Sequence, residues 1–239
     1  MSEIIQSKAN SKIKYIASLQ NSKYRKEYKQ FVAEGKKSLE MALARSLVKE
    51  VYTLNELNDL DKSVPQYIVS EEIMDKISTS KSPEGIVFLC DIPNNLHFNE
   101  EKIIYLDHIS DPGNAGTIIR TALAFGYDTV IFSNDSVDIY NEKVISATKG
   151  AIFAIPVVKK DIKDIKKDHQ IISSTLSEKS ISLEKAKAKK PFILVLGNES
   201  HGVSSEVIEM SDLLVKIPIE TMESLNVSIA AGILMYHFK

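Results

Sequence analysis

Hydrophobic and polar positions alternate along the chain in a pattern that predicts two α/β regions. Up to residue 95, short apolar runs predict strands, and amphipathic segments between them predict helices. The predicted strands are 31–33, 48–54, 67–69 and 86–90, and the predicted helices are 36–45 and 71–77. The segment 91–100 is rich in turn-forming residues and predicts a linker. We therefore predict a small N-terminal α/β domain, residues 1–95, and a second domain, residues 96–239.

Beyond residue 95 the alternation is stricter. The predicted strands are 102–107, 129–132, 155–158, 171–174, 192–196 and 213–217, and the predicted helices are 115–125, 141–149, 161–167, 205–210 and 224–238. This order predicts a mostly parallel sheet with helices on both faces. Such sheets bind ligands at the carboxyl ends of their strands. We therefore expect a site in the loops after Asp107, Leu196 and Ile217.

Composition narrows the class of protein. The chain has 239 residues, of which 44% are hydrophobic and 26% charged, as is typical of globular proteins. A single cysteine excludes a disulfide framework and a cysteine-cluster metal site, and it favours a reducing, cytoplasmic location. Cys90 ends an apolar strand, so we expect a buried structural thiol. No apolar run reaches the ~18–20 residues that a membrane span needs, and we expect no signal peptide.

The net charge of −2 hides an uneven distribution. Residues 1–50 carry eleven lysines and arginines against five acidic residues, whereas residues 51–100 carry three against nine. Tyrosines and Phe31 lie among the basic residues. Such rings can stack on unpaired bases while cations hold phosphates. The alternative is a solvated, lysine-rich surface helix whose aromatic side chains belong to the core.

The first loop, Asp107–Gly126, joins a predicted strand to a predicted helix. Asn114 is placed to cap that helix. Arg120 lies on its polar side, close to the positive N-terminal end, where a cation is unfavourable unless an anion is near. Arg120 is therefore a candidate anion-binding residue, and the alternative is a salt bridge to a surface carboxylate. The loop has neither a dinucleotide-binding fingerprint nor a P-loop motif.

The other two loops carry further polar residues. In the second, Gly197 and Gly202 flank Glu199, the best catalytic carboxylate candidate, whose alternative role is to serve the N-terminus of the following helix. In the third, Ser224 and Asn226 stand at the start of a helix that is apolar nearly all round. Such a helix is typical of a core or a subunit interface. Polar groups that must be satisfied at a buried helix start suggest a site.

Together these segments resemble the SpoU/TrmH family of RNA 2′-O-ribose methyltransferases, which belongs to the knotted SPOUT class. The matching motifs are Asn114–Gly126, Leu196–Gly202 and Ile217–Ser228, and the stretch 138–156 resembles the family's middle region. Residues 1–95 resemble, more weakly, the ribosomal-protein-like RNA-binding domain that many members carry. The third loop departs from the family pattern because it lacks the usual glycine and is shorter.

The resemblance implies an α/β fold with a C-terminal trefoil knot, S-adenosylmethionine as cofactor, a homodimer and no metal. It places Gly197, Ile217 and Leu225 against the cofactor, with Glu199 and Asn226 beside it. It makes Arg120 the central catalytic residue. Asn114, Glu199, Ser224 and Asn226 complete the implied catalytic set. The sequence leaves open whether Glu199 or Arg120 takes the proton from the ribose hydroxyl.

The implied activity is methyl transfer to a ribose 2′-hydroxyl of RNA, with ribosomal RNA favoured over transfer RNA. In the N-terminal region the candidate RNA contacts are Lys12, Lys14, Lys23, Arg25 and Lys36. The alternatives are a transfer RNA 2′-O-methyltransferase and a non-catalytic RNA-binding or ribosome-assembly factor on the same fold. An unrelated α/β enzyme acting on small phosphorylated substrates is disfavoured by the missing phosphate-loop motifs.

Overall fold

The computed structural model describes residues 3–80, 83–93, 100–165 and 168–239. The strands in these ranges are β1 (Glu3–Ile5), β2 (Gln30–Glu34), β3 (Val48–Thr53), β4 (Gln66–Val69), β5 (Ile86–Asp91), β6 (Lys102–Leu106), β7 (Thr129–Phe132), β8 (Val157–Lys159), β9 (Gln170–Ser174), β10 (Ile181–Ser182), β11 (Phe192–Leu196) and β12 (Leu213–Lys216). The helices are α1 (Ser11–Ser18), α2 (Ser22–Tyr28), α3 (Lys36–Leu43), α4 (Glu71–Ile77), α5 (Pro112–Ala124), α6 (Glu142–Thr148), α7 (Ser205–Glu209) and α8 (Val227–His237).

The chain divides into two compact units. The first contains the described residues up to 93 together with Tyr140–Phe153, and the second contains those of 100–139 and 154–239. The predicted boundary near residue 95 lies outside the described residues. The sequence pattern did not show that α6 and the 3₁₀ turn after it, Ala151–Phe153, group with the first unit.

The first unit is built on a five-stranded mixed sheet in the order β1-β4-β3-β5-β2. β5 runs antiparallel to both neighbours, and the other pairs are parallel. The predicted strands and helices of this region are all present. Two short helices, α1 and α2, were not predicted because both are short and α2 is highly charged. Their asparagine caps are the sequence signal: Asn10 Oδ1 accepts from the Lys12 amide and Asn21 Oδ1 from the Lys23 amide, each at 2.9 Å.

The second unit contains a seven-stranded sheet in the order β10-β12-β9-β11-β6-β7-β8, and every pairing is parallel. The predicted α/β class with a parallel sheet is therefore confirmed. The central strands β6 and β11 are almost entirely buried, as the continuous apolar runs predicted. Because all strands point the same way, the loops after β6, β11 and β12 leave the sheet at the same edge.

Three predictions of local structure in the second unit were wrong in extent. The segment 161–167 holds only a short 3₁₀ turn, Ile162–Asp164, with residues 166–167 outside the described residues. The helix α8 begins at Val227 instead of residue 224. The helix α5 begins at Pro112, three residues before the predicted start. The last two differences matter for the site because they change which side chains cap the helices.

Cys90 is fully buried on β5, as the sequence predicted, and burial raises the pKa of its thiol. Among the described residues, no helix is long and apolar enough to cross a membrane. Within the same ranges, no group of three or more histidine, cysteine or acidic residues is arranged to hold a metal ion.

Candidate active site

Three loops of the second unit bring polar side chains together at the carboxyl edge of its sheet. The first turn of α5, which follows β6, supplies Asn114, the loop after β11 supplies Glu199, and the loop after β12 supplies Asn226. The Asn226 amide nitrogen donates to Asn114 Oδ1 at 3.0 Å, and the Asn114 amide nitrogen donates to Glu199 Oε1 at 3.1 Å. One chain of hydrogen bonds, Asn226–Asn114–Glu199, thus links the three sequence motifs.

The cap of α8 fixes the direction of this chain. Asn226 is the N-cap residue, and its Oδ1 accepts from the Ser228 amide at 2.9 Å and from the Ser228 hydroxyl at 2.6 Å. With its oxygen held by the helix start, the Asn226 amide nitrogen must point the other way, toward Asn114. Asn114 then has only its own amide nitrogen left to offer Glu199. The sequence did not predict that the cap of α8 determines which atom of Asn114 faces the Glu199 carboxylate.

Asn114 is free for this role because it does not cap α5. Asp111 is the N-cap, and its Oδ1 accepts from the Asn114 backbone amide at 2.7 Å. Pro112 occupies the first helical position, where its missing N–H costs nothing. The prediction that Asn114 caps the helix was wrong, and the Asp-Pro pair was the signal that sequence reasoning overlooked.

Glu199 also binds Ser110, whose hydroxyl donates to Glu199 Oε2 at 3.4 Å. The alternative reading, that Glu199 serves the next helix, is excluded by geometry because α7 begins only at Ser205, after the N-cap Ser204. The carboxylate therefore accepts hydrogen bonds from Ser110, in the loop after β6, and from Asn114, in the first turn of α5. Ser110 is a residue of the site that the sequence did not single out.

The loop that carries Glu199 is closed by Asn198 and Gly202, whose backbones exchange two hydrogen bonds of 2.9 Å. A Cβ on Gly197 would lie 2.1 Å from the Val203 nitrogen, so the loop closes only without a side chain there. The Asn198 side chain accepts from the Ser200 amide at 2.9 Å and donates to the His108 carbonyl at 2.8 Å. Asn198 thus fixes the loop to the end of β6.

Asp107, a buried carboxylate directly after β6, also connects the loops after β6 and β11. Its Oδ2 accepts from the Ser204 amide at 2.7 Å, and its Oδ1 lies 2.8 Å from His108 Nδ1. The sequence pattern predicted Asp107 only as the end of a strand. Asp107 and Asn198 hold the first two loops in register, which sets the distance between Asn114 and Glu199.

Arg120 lies on the exposed face of α5. Within the described chain it has no ion pair or hydrogen bond through its guanidinium, so the alternative of a salt bridge to a surface carboxylate does not hold there. Because α5 begins at Pro112, Arg120 stands in the third turn, beyond the reach of the helix dipole. The helix end therefore does not make Arg120 an anion site, and Arg120 is a candidate because its charge is uncompensated among the described residues. Arg120 makes no hydrogen bond to the Asn226–Asn114–Glu199 chain in the part of the protein that the structure describes.

A cavity of about 440 Å³ opens beside this chain. Ligand pockets for small molecules span roughly 300–1,000 Å³, so its size suits a nucleoside. Its lining includes Gly197, Glu199, Ile217, Ser224 and Leu225. Four of the five predicted cofactor contacts therefore line one cavity, and the fifth, Asn226, reaches Glu199 through Asn114.

The chemistry of the cavity wall fits S-adenosylmethionine. Leu176 and Leu225 line it with side chains that are 59% and 37% exposed, and these apolar surfaces suit an adenine ring. Within the described chain, the backbone groups of residues 219–225 make no hydrogen bond to other backbone or side-chain groups. These N–H and C=O groups are available to a ligand, and this is the third loop that departs from the family pattern.

The structure separates the five candidate RNA contacts of the first unit into two groups. Lys12 Nζ lies 2.6 Å from Glu50 Oε1, with which it forms an ion pair, and 4.7 Å from the centroid of the Tyr67 ring. Arg25 is buried, and its Nη1 donates to the carbonyls of Leu19 and Gln20. Lys12 and Arg25 are thus already engaged by partners within the unit. Lys14, Lys23 and Lys36 are exposed and stay candidates.

Comparison with known proteins identifies the class to which this fold and site belong. Residues 101–236 match the model of the SpoU rRNA Methylase family, and residues 10–87 match the MRM3-like substrate binding domain. The chain therefore belongs to the SpoU rRNA methylase family.

Several relatives match nearly the whole chain. The 23S rRNA (guanosine(2553)-2'-O)-methyltransferase RlmP of Bacillus subtilis is 31% identical over 98% of both chains. An AdoMet-bound rRNA methyltransferase from Sinorhizobium meliloti is 27% identical, with a TM-score of 0.89 over 99% of this chain and 97% of its own. A putative RNA methyltransferase of the TrmH family from Porphyromonas gingivalis is also 27% identical, with a TM-score of 0.85 over 98% and 99%.

Proposed function

We propose that this protein transfers the methyl group of S-adenosylmethionine to a ribose 2′-hydroxyl of ribosomal RNA. The observation that carries the proposal is that Glu199 faces the cavity while bonded to Asn114, so that a carboxylate and a methyl-donor site share one wall. The full-length similarity to a 23S rRNA 2′-O-methyltransferase supports both the reaction and the substrate class.

Glu199 is the group that we assign as proton acceptor. It lines the cavity and is held by Asn114 and Ser110, which fix its orientation without neutralising it. A carboxylate positioned within hydrogen-bond reach of a hydroxyl can take its proton as the oxygen becomes nucleophilic. When bound, S-adenosylmethionine supplies the methyl group, whose bond to sulfur breaks as its bond to the 2′-oxygen forms.

Arg120 is the group that we assign to the RNA. A guanidinium stays protonated in proteins, so it acts as a fixed positive charge rather than as a base. Its planar fork matches a phosphate, and it can also stabilise negative charge that develops on the 2′-oxygen. Ser224, exposed at the cavity wall, is placed to contact either substrate.

The remaining assignments concern the whole protein. We assign residues 1–95 to RNA binding and 96–239 to catalysis, with the segment Tyr140–Phe153 grouped with the first unit in the structure. The family match over residues 10–87 supports the first assignment. We also propose that the C-terminal part forms the trefoil knot of the class and that the protein acts in the cytoplasm, where ribosomal RNA is available.

We further propose a homodimer. Ile229, Ile233 and Tyr236 lie three and four positions apart on α8, and their side chains are 57%, 39% and 60% exposed. This spacing places them on one face of the helix. An exposed apolar stripe on a helix that buries its opposite face is typical of a surface that another subunit covers.

The test is methyl transfer from labelled S-adenosylmethionine to separate pools of unmodified ribosomal and transfer RNA, followed by digestion to nucleosides. We expect label in 2′-O-methylated nucleosides from the ribosomal pool. Label only from the transfer RNA pool would overturn the substrate class. The pools should also include RNA from assembly intermediates of the ribosome. If the protein binds the cofactor but labels none of these RNAs, a non-catalytic RNA-binding factor is favoured.

A further inference from the structure

Three tyrosines of the first unit form an aromatic cluster on α1 and α2. The Tyr28 ring lies 5.1 Å from the Tyr15 ring in an edge-to-face contact and 6.1 Å from the Tyr24 ring, to which it is nearly parallel at 7°. Tyr15 and Tyr24 pack partly against the core, whereas Tyr28 is 43% exposed. The two inner rings therefore hold an outer ring in a fixed position at the surface.

The outer ring has no structural task that explains its exposure. Within the described chain the Tyr28 hydroxyl makes no hydrogen bond, in contrast to the Tyr15 hydroxyl, which donates to Gln30. An aromatic ring that is exposed and held rigid by its neighbours presents stacking surface at a low cost in conformational entropy. Two of the tyrosines therefore support the core, and the third does not.

Exposed lysines lie on the same two helices as the cluster. Lys14 on α1 and Lys23 and Lys26 on α2 are exposed and form no ion pair among the described residues. Lys23 Nζ lies 5.9 Å from the centroid of the Tyr24 ring. Glu27 is the acidic residue on these two helices. Unlike Lys12 and Arg25, these lysines keep their charge available to an anionic ligand.

A shallow pocket of about 410 Å³ continues the surface beyond Tyr15. Its lining combines Tyr15 with the polar groups of Ser11 and Gln30, with the ion pair of Lys12 and Glu50, and with Lys49, whose Nζ lies 3.4 Å from Asp91 Oδ2. An aromatic ring beside a polar pocket and free cations is the combination that recognises single-stranded nucleic acid, because bases stack and phosphates pair with lysine. A double helix offers no free base face to such a ring.

We propose that Tyr28, held by Tyr15 and Tyr24, is a stacking platform for an unpaired nucleotide of the RNA substrate, and that Lys14, Lys23 and Lys26 hold the adjoining phosphates. This inference rests on the proposed function for the identity of the ligand as RNA. It adds that the first unit contacts an unpaired region rather than a duplex.

The chain contains no tryptophan, so the variant Tyr28→Trp carries a single fluorescent reporter at the proposed contact. Titration with a single-stranded oligoribonucleotide should quench this emission to saturation, since a stacked base lies against the indole ring. The same sequence closed into a duplex should leave the emission unchanged. Binding of the single strand without quenching would overturn the platform.

A second pair of variants tests the affinity. Tyr28→Ala should weaken binding of single-stranded RNA by about 5- to 100-fold, the range reported for loss of one base–aromatic stack, whereas Tyr28→Phe should bind as the wild type does. Ile4→Ala, an exposed apolar residue on β1 of the same unit, is the control. Equal affinities for Tyr28→Ala and wild type would contradict the proposal.

The failures of the two proposals are distinguishable. If ribosomal RNA is methylated with the same KM by Tyr28→Ala and wild type, the platform is wrong and the proposed reaction stands. If Tyr28→Trp is quenched by single-stranded RNA but the wild type binds cofactor and methylates no RNA, the platform stands and the proposed reaction fails.

Discussion

The Asn114 side-chain amide donates to the Glu199 carboxylate at 3.1 Å, although 85 positions of sequence separate the two residues. The contact joins the first turn of α5 to the loop after β11. The strands that lead into these two segments, β6 and β11, are adjacent and parallel. It gives the carboxylate beside the cavity a neutral donor, so its orientation is fixed and its negative charge is kept.

Asn114→Asp keeps the size of the side chain and replaces the donor with a second carboxylate. We expect kcat for methyl transfer to fall by about 10- to 100-fold, because a hydrogen bond to a charged group is lost and two negative charges face each other. Single-turnover transfer to ribosomal RNA measures this effect. Ala124→Ser, exposed at the end of the same helix, is the control, and unchanged transfer by Asn114→Asp would contradict the assigned role.

Asn226→Asp tests whether the helix cap sets the direction of the chain. Aspartate caps a helix as well as asparagine, so the free energy of unfolding should change by less than about 0.5 kcal/mol. Its second oxygen cannot donate to Asn114, so Asn114 must turn its amide nitrogen away from Glu199. We expect transfer to fall as in Asn114→Asp. Transfer equal to that of the wild type would show that the helix cap does not set the direction of the chain.

Arg120→Ala should reduce transfer by at least about 100-fold, the cost of removing one charged donor from a developing oxyanion. Cofactor affinity, measured by calorimetry, should stay within about threefold of wild type, because Arg120 does not line the cavity. Arg120→Lys keeps the charge and should recover part of the activity. A large loss of cofactor binding in Arg120→Ala would show that the residue belongs to the cofactor site instead.

The ion pair between Lys12 and Glu50 predicts a pH-dependent contribution to stability. The hydrogen bond to Glu50 raises the pKa of Lys12. A pKa that is higher in the folded state stabilises the protein below the unfolded value of about 10.4, and this contribution is lost as the pH rises through the folded value. The Lys12 side chain is partly exposed, so Lys12→Gln should lower the free energy of unfolding at pH 7 by only about 0.5–1 kcal/mol.

Urea unfolding of Lys12→Gln and wild type at pH 7, 9 and 11 checks this expectation. The difference should be the same at pH 7 and pH 9 and smaller at pH 11. RNA affinity should be unchanged in Lys12→Gln and reduced in Lys14→Gln. The reverse order of RNA affinities would restore Lys12 as an RNA contact.

Ile233→Asp places a charge in the middle of the exposed stripe on α8. We expect the wild type to have the mass of two chains by light scattering and Ile233→Asp that of one, since an unpaired charge is costly at an apolar interface. Ile4→Asp, on the exposed edge strand β1, should not change the mass. A monomeric wild type at micromolar concentration would refute the homodimer.

The sequence predicted most of the regular structure because hydrophobic periodicity is a local property. The strands β7 and β11 match their predicted bounds, since each is a continuous apolar run between turn residues. Helix starts were harder to predict, because several residues near an N-terminus can serve as cap. Asn114 is as good a cap as Asp111 by type, and only the path of the backbone decided between them.

By itself, the sequence determined the α/β class, the parallel sheet and the three motifs of the site, because strand–helix alternation and motif order are properties of the chain. Only the tertiary structure decided what the motif residues do. Hydrogen bonds between Asn226, Asn114 and Glu199 depend on distances of about 3 Å between segments far apart in sequence, and no local pattern encodes these distances. Likewise, the sequence alone does not distinguish the basic residues Lys12, Lys14 and Arg25 as ligand contacts. In the structure, a carboxylate holds Lys12 and backbone carbonyls hold the buried Arg25, whereas Lys14 is exposed and its charge is available to a ligand.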